Sequence, residues 1–310
     1  MFLDYYTAKC GRNSNSECGI MTNMKKNAIV FDFDGPLVNS GWDKSIHILF
    51  SSFVACWDTG FRKFLHPDNL EIDINKMIQG FVKYPGAPRF QQLSAVVSCI
   101  VRNKPESVKE PYELGVDENL QKEYKKLQKR YNEFYSGLNN AAARLFWKPL
   151  PPVRKVIETL SKDYDLYVAS GIIQEILEKD FDHYGFDRKL FLGIKGSDPA
   201  GAIDKAEILK QIKNSGYEDV LFIGDSSKDL EYARKAGVKF FRIKTADDYE
   251  RLMNQIKNGL PDEQDIWEYT EQELEIIKSK VLFLMKIYAS GKKLSYQDIT
   301  RWINTGRFSP

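Results

Sequence analysis

The sequence predicts an α/β fold: a doubly wound parallel sheet, an inserted α-helical cap domain and a C-terminal helical extension. Five short apolar segments are typical of strands that are buried on both faces of a parallel sheet. The last four of these segments alternate with amphipathic helical segments, which indicates helices packed on both faces of that sheet. After the first segment, more than a hundred residues pass without a strand pattern, which indicates an inserted domain.

The predicted strands are AIVFDF (28–33), LYVAS (166–170), LFLGI (190–194), VLFIG (220–224) and VKFFRI (238–243). The predicted helices between them are PPVRKVIETLSKD, IIQEILEKDFDHYG, DKAEILKQIKNSG and SKDLEYARKAG. Polar residues that favour helix starts and glycines that favour helix ends bound these segments. They are Asp204 and Ser226 or Ser227 at the starts, and Gly185, Gly216 and Gly237 at the ends.

The inserted segment contains three helical patterns: SIHILFSSFVACW, RFQQLSAVVSCIV and LQKEYKKLQKRYNEFYSGL. In the third pattern, large apolar residues recur at helical spacing and predict a buried face. They are Tyr124, Leu127, Tyr131, Phe134, Tyr135 and Leu138. We therefore predict a core at 25–37 and 150–250 with a helical cap at 38–149.

Residues 251–310 are predicted to form a helical extension. Thr270 and Glu273 fit a capping box, and an apolar face follows them. The extension is expected to pack on the core or on a partner chain, so a homodimer is one interpretation. Residues 1–24 form a polar tail, and we expect natural translation to start at Met21 or Met24.

Composition and charge exclude several functional classes. The 45 Lys and Arg residues nearly balance the 43 Asp and Glu residues, so no nucleic-acid or membrane-surface partner is expected. No apolar run has the length of a membrane span, and no secretory signal is evident. The four cysteines form no CxxC pair, so we expect neither a zinc site nor a disulfide framework, but reduced thiols in the cytoplasm.

Acidic residues follow two of the predicted strands. Asp32 and Asp34 end the first strand, and Asp225 and Asp229 follow the fourth. Ligands of open α/β sheets bind at the carboxyl ends of the strands, where these four carboxylates would crowd together. Such crowding requires a cation, and oxygen ligands favour Mg²⁺, which typically shares its coordination shell with a substrate phosphate.

Further groups at the same edge could hold a phosphate. Ser170 and Gly171 follow the second strand, and the hydroxyl of Ser170 and nearby backbone N–H groups could bind phosphate oxygens. Lys205, at the start of its helix, would balance the charge, and Lys195 after the third strand is its rival.

The segments FDFDGPLVNS, VASG, DKAEIL and IGDSSKDL resemble the four ordered motifs of the haloacid dehalogenase (HAD) superfamily. The resemblance covers roughly 28–36 and 150–245, and it implies a Rossmann-like core with a cap of the C1 type. The motif LVNS is similar to the LVDS of phosphoglycolate phosphatase-like and β-phosphoglucomutase-like members.

The resemblance also implies individual roles for the residues of these motifs. Asp32 is the expected nucleophile, which forms an aspartyl-phosphate, and Asp34 is the expected general acid and base. Asp32, the backbone carbonyl of Asp34, Asp225 and Asp229 would hold Mg²⁺. Ser170, Gly171 and Lys205 would hold the phosphoryl group.

The leading hypothesis is therefore a Mg²⁺-dependent phosphatase for a small soluble ester of the phosphoglycolate or sugar phosphate class. In the cap, Arg89 and Lys83 are candidate substrate-binding residues. A phosphomutase is the alternative within the same chemistry. A receiver-type phospho-acceptor and a non-catalytic scaffold are the alternatives from other classes.

Overall fold

A computed structural model describes residues 26–41, 43–84, 86–108, 110–197, 205–265 and 268–308. The predictions about the N-terminal tail, its two cysteines and the capping role of Asp204 lie outside the described residues. Cys56 and Cys99 are described, and both are free, buried thiols.

Five parallel strands form one sheet, as predicted. The strands are β1 (Asn27–Phe31), β2 (Asp165–Ile173), β3 (Gly193–Ser197), β4 (Asp219–Gly224) and β5 (Lys239–Arg242). Their order in the sheet is β3-β2-β1-β4-β5, and every neighbouring pair is parallel. β1 is therefore the central strand, and its carboxyl end lies between those of β2 and β4.

The helices of the described residues fall into three groups along the chain. The inserted segment forms α1 (Asp43–Trp57), α2 (Leu70–Val82), α3 (Arg89–Arg102) and α4 (Glu118–Leu145). The core contributes α5 (Val153–Leu160), α6 (Gln174–His183), α7 (Lys205–Lys213), α8 (Ser227–Ala236) and α9 (Ala246–Gln255). The C-terminal region forms α10 (Glu271–Ala289) and α11 (Tyr296–Thr305).

Alternation along the strands divides the core into two apolar layers. In β1, Ile29 and Phe31 pack with residues of α5, α6 and α9 on one face of the sheet. Ala28 and Val30 pack with residues of α7 and α8 on the other face. Because both faces are covered, the three inner strands β1, β2 and β4 are largely apolar, which is why they were visible in the sequence.

The third strand lies three residues later than the predicted segment 190–194. Residues Arg188–Leu190 form a short 3₁₀ helix, Phe191 is buried in the core, and Leu192 is 64% exposed. The strand itself, GIKGS, is at the sheet edge and has little apolar character. The predicted apolar segment 190–194 therefore covers the residues that lead into β3 and only the first two residues of the strand.

The inserted helices have their own hydrophobic core, separate from the sheet. All six residues predicted to form the apolar face of α4 are buried, which confirms that prediction. Two adjacent connections link the core to these helices, and Val38 pairs with Pro149 where they run antiparallel.

The C-terminal helices join the same hydrophobic core. The predicted capping box of Thr270 and Glu273 begins α10. Ile277, Val281 and Leu284 of α10 lie in one apolar cluster with residues of α1 to α4, and α11 adds two isoleucines to it. The C-terminal region thus packs on the inserted helices.

Among the described residues, no helix combines the length and the apolar character needed to cross a membrane.

The shared apolar cluster predicts a large stability cost for truncating α10. Leu284 is 1% exposed, so Leu284→Ala should lower the free energy of unfolding by about 2–5 kcal/mol in a denaturant titration. Leu192→Ala, at a mostly exposed position, is the matched control and should cost much less. Equal costs for the two variants would contradict the packing of α10 on the inserted helices.

Candidate active site

Three carboxylates meet at the carboxyl edge of the sheet. Asp32 follows β1 and donates its backbone N–H to the carbonyl of Ile223 in β4 at 2.8 Å. One side-chain oxygen from each of Asp32, Asp225 and Asp229 lies within 4.8 Å of the others. Strand pairing and the turn into α8 thus bring together residues almost two hundred positions apart.

Gly35 makes this close approach possible. It has a φ of +90°, which L residues rarely adopt, and a Cβ at this position would overlap with the side chain of Asp225. The turn after β1 can therefore lie directly against the carboxylate that follows β4.

The capping box of α8 holds Asp229 in place. The backbone N–H and the hydroxyl of Ser226 donate to Asp229 Oδ2 at 3.0 and 2.6 Å. Ser226 Oγ in turn accepts from the backbone N–H of Asp229, so Ser226 is the predicted N-cap. One carboxylate oxygen thus caps the helix while the other faces the acidic cluster.

Lys205 is the buried cation of this cluster. Its Nζ donates to Asp32 Oδ2 at 2.6 Å and to Asp229 Oδ1 at 2.7 Å, and its side chain is 6% exposed. The rival Lys195 lies on the exposed side of edge strand β3. Of the two lysines, the structure brings Lys205 to Asp32.

Burial and mutual repulsion shift the pKa values of the cluster. Burial raises the pKa of Asp32 to about 7, Asp229 and Asp34 add to the rise, and Lys205 opposes it. Burial, together with Asp229 and Asp32, also raises the pKa of Asp225 well above its ordinary value. Burial acts to lower the pKa of Lys205, but Asp229 and Asp32 outweigh it, so that pKa is raised.

Ser170 and Gly171 lie at the same edge, but within β2, because this strand extends beyond the predicted segment to Ile173. Ser170 is buried, and its Oγ accepts from the backbone N–H of Ile172 at 3.2 Å. A Cβ at Gly171 would lie 3.9 Å from Cε of Lys205. Of the three residues predicted to bind phosphate, Lys205 contacts the acidic cluster, Gly171 lies beside Lys205, and Ser170 directly precedes Gly171 in β2.

Asp34 has a different partner from Asp32. Its carboxylate forms an ion pair with Lys44 of α1, and the Lys44 ammonium also lies 5.7 Å from the centre of the Trp147 ring. Burial opposes the charge of Lys44, but the attraction of Asp34 outweighs it, so the pKa of Lys44 is raised.

Lys44 was missed from the sequence, although one signal pointed to it. Asp43 and Lys44 are the only Asp, Glu, Lys or Arg residues in the otherwise largely apolar helix α1.

The two candidate residues of the cap have different environments. The Arg89 guanidinium donates to Asn132 and Ser136 of α4 and lies 4.8 Å from the centre of the Tyr135 ring. These contacts hold Arg89 within the cap. Lys83, in contrast, lines a cavity of about 600 Å³ that begins at Gly35 and Asp225.

The loop between α2 and α3 touches the core beside this cavity. A Cβ at Gly86 would overlap with Ser226, the N-cap of α8. The loop between α2 and α3 thus lies directly against the turn that follows β4.

The carboxylates fit a divalent cation on chemical grounds. Asp32, Asp225 and Asp229 offer only oxygen ligands, and their negative charge exceeds the single positive charge of Lys205. Oxygen-rich sites of this kind suit Mg²⁺ and similar hard cations.

A family model described as haloacid dehalogenase-like hydrolase matches residues 26–237. Among curated proteins, no relative matches the sequence significantly. Similar solved structures include a haloacid dehalogenase-like family hydrolase from Streptococcus pneumoniae. It is 21% identical, with a TM-score of 0.44, over 74% of this chain and 91% of that chain.

Two further solved structures are similar at the same level. A predicted phosphoglycolate phosphatase from Haemophilus somnus is 22% identical, with a TM-score of 0.43, over 72% of this chain and 86% of that one. A predicted phosphatase from Clostridium acetobutylicum is 16% identical, with a TM-score of 0.45, over 83% and 99%. Likeness at this level says nothing about the substrate.

The raised pKa of Asp32 predicts a pH-dependent effect of metal on stability. A folded-state pKa of about 7, above the ordinary 3.8, means that the folded protein binds the proton more tightly than the unfolded chain. Protonated Asp32 therefore contributes to the stability of the folded protein. This contribution is complete below about pH 4 and is lost as the pH rises through 7. Mg²⁺ should therefore raise the thermal unfolding midpoint more at pH 8 than at pH 5, because protons compete for its ligands.

Thermal unfolding in EDTA and in Mg²⁺ at both pH values measures this effect. Asp182→Asn, at an exposed pair with Arg188, should behave like the wild type. A Mg²⁺ effect of equal size at both pH values would contradict the role of the cluster.

The burial of Lys205 predicts a second stability effect. Lys205→Met leaves Asp32 and Asp229 without their cation and should cost about 3–5 kcal/mol at pH 8 in EDTA. The cost should shrink at pH 5, below the raised pKa of Asp32, where this carboxyl group is protonated and no longer needs that charge. Lys195→Met is the matched control, and we expect a change within about 0.5 kcal/mol. Equal costs for both lysine variants would argue against the assignment of Lys205.

Proposed function

This chain belongs to the haloacid dehalogenase-like hydrolase family, and we propose that it is a Mg²⁺-dependent phosphatase for a small soluble phosphomonoester. The observation that carries the proposal is the buried Lys205 held between Asp32 and Asp229, with Asp225 beside them. A nucleophile, a phosphate-binding cation and a set of metal ligands are needed together for phosphoryl transfer.

In the first step, a carboxylate oxygen of Asp32 attacks phosphorus, and the bond from phosphorus to the ester oxygen breaks. The product on the enzyme is an aspartyl-phosphate, and Asp34 gives a proton to the departing alcohol. Lys205, Ser170 and the N–H of Gly171 hold the phosphoryl oxygens in this step. One of the two contacts of Lys205 changes partner in this step, because its ammonium group turns from the Asp32 carboxylate to the phosphoryl group.

In the second step, Asp34 takes a proton from water, and the water oxygen attacks phosphorus. The bond between phosphorus and Asp32 breaks, which regenerates the carboxylate and releases inorganic phosphate. Asp34 must face the reacting group in both steps. We propose that substrate binding moves the Asp34 carboxylate away from Lys44, its partner in this structure.

Asp32, Asp225 and Asp229 would hold the cation, together with the backbone carbonyl of Asp34. When bound, Mg²⁺ neutralises charge on the phosphate and on the carboxylates. The closed contact between Gly86 and Ser226 limits access from bulk solvent, which favours a small soluble substrate over a macromolecule.

The nucleophile assignment predicts that Asp32→Asn abolishes phosphate release. With p-nitrophenyl phosphate and a panel of phosphorylated metabolites in Mg²⁺, kcat should fall at least about a thousandfold. Asp182→Asn is the matched control and should retain full activity.

A quenched-flow experiment with labelled substrate should trap phosphate on wild-type protein but not on Asp32→Asn. Full activity in Asp32→Asn would disprove the assignment. Transfer of the phosphoryl group to another hydroxyl of the substrate, without release of phosphate, would favour the phosphomutase.

A further inference from the structure

The C-terminal region contributes one side of the cavity beside the acidic cluster. Four residues of this side lie beyond residues 26–237, where the family model matches. They are Glu268, Tyr269, Glu273 and Leu274, which we call the C-terminal wall. The remaining lining residues come from the segment after β1, from the end of α2 with Lys83 after it, from residues 225–227 at the start of α8, from Arg242 at the end of β5, and from Lys244 and Thr245 after it.

On the core side, contacts fix the chain that leads to this wall. The backbone N–H of Glu263 donates to the carbonyl of Phe240 in β5 at 2.8 Å. The Glu263 carboxylate accepts from the backbone N–H of Arg242 at 2.9 Å and pairs with Arg251. Glu263, which precedes the wall in the chain, is therefore attached along β5.

On the cap side, Tyr269 attaches the wall to two helices. Its hydroxyl lies 2.9 Å from Oγ of Ser45 in α1, and its ring lies 5.8 Å from that of Phe81 in α2. The wall is thus held by both the core and the cap, and it occupies a defined position in the closed structure.

Glu273 is one of the two carboxylates of the wall, the other being Glu268. It is the N3 residue of the α10 capping box, it pairs with Lys244 after β5, and its side chain is 18% exposed. A ligand in the cavity can therefore meet a carboxylate and an ammonium group side by side.

The size and chemistry of the cavity indicate the kind of leaving group. Its volume of about 600 Å³ lies within the range of sites for whole small molecules and far exceeds a two-carbon acid. Its lining includes donors such as Lys83 and acceptors such as Glu268, together with amides, hydroxyls and an aromatic ring. Hydroxyl groups both donate and accept, so a polyhydroxylated group can use this mixed lining fully.

We propose that the C-terminal wall sets the specificity of this site, with Tyr269 and Glu273 contacting a polyhydroxylated leaving group of sugar size. The inference rests on the proposed function in one respect: the phosphate of the same ligand lies at Lys205 and Ser170. The wall accordingly acts on binding of the leaving group and leaves binding of the phosphate unaffected.

Calorimetric binding tests the proposal without turnover. Asp32→Asn is the parent protein, and the probes are glucose 6-phosphate, ribose 5-phosphate and inorganic phosphate, each in Mg²⁺. At least one sugar phosphate should bind the parent more tightly than inorganic phosphate. Adding Glu273→Gln should raise the dissociation constant of that sugar phosphate about tenfold, since one hydrogen bond to a charged group is lost. The dissociation constant of inorganic phosphate should stay within about twofold.

Matched variants distinguish the loss of a contact with the sugar from a general loss of folding stability. Glutamine also serves at N3 of a capping box, so Glu273→Gln should keep the unfolding midpoint of the parent. Glu275→Gln, at an exposed residue of the same helix, should leave every dissociation constant unchanged. Tyr269→Phe should weaken the sugar phosphate selectively, whereas Tyr112→Phe, at a residue 64% exposed, should not.

Three results would overturn the inference. They are sugar phosphates that bind no more tightly than inorganic phosphate, wall variants without effect, and wall variants that weaken both ligands equally. If the wild-type protein hydrolyses phosphate esters and one of these results is found, the specificity role of the C-terminal wall is disproved and the proposed phosphatase activity stands. If the selective binding is found but the wild-type protein hydrolyses no ester, the proposed phosphatase activity is disproved and the role of the C-terminal wall in binding stands.

Discussion

The position of the Lys205 ammonium between Asp32 and Asp229 is the contact on which the rest of the site depends. Three carboxylates within 4.8 Å of one another, in a buried place, repel strongly unless cations lie among them. One lysine offsets only part of that charge, which leaves the site ready for a metal ion and a phosphate together. The strand order makes this contact possible, because the central β1 places Asp32 between the ends of β2 and β4.

Much of this arrangement was predictable because the sheet is covered on both faces. Strands buried on two sides are apolar throughout, so β1, β2, β4 and β5 were visible as runs, and polar residues at their ends stood out. The edge strand β3 was not visible in this way, since its sequence GIKGS has little apolar character. The apolar residues before it belong to the 3₁₀ helix and to the segment that leads into the strand. The buried face of α4 was equally predictable, because six large residues recur at helical spacing.

The remaining parts of the site depend on contacts between distant segments, which carry no local pattern. Lys44 is one lysine among many until the closed cap places it on Asp34. Glu273 lies in the first turn of α10 and Tyr269 directly precedes its N-cap, and the apolar face of this helix predicted packing but no particular surface. That face packs on the inserted helices, so the capping residues at its start lie beside the cavity. For Arg89, the sequence suggested a substrate-binding residue near a Gly-Pro turn, but its guanidinium group contacts residues of α4 within the cap.

The two aspartates of VFDFDG, only two positions apart, are neutralised by lysines from different parts of the chain. Asp32 meets Lys205 of the core, and Asp34 meets Lys44 of the inserted helices. In the proposed mechanism Asp32 is the nucleophile, and strand pairing fixes its position at the edge of the sheet. A group that exchanges protons with the leaving alcohol and then with water gains from a partner in the domain that covers the site. The same short segment thereby connects the chemistry of the core to the position of the cap.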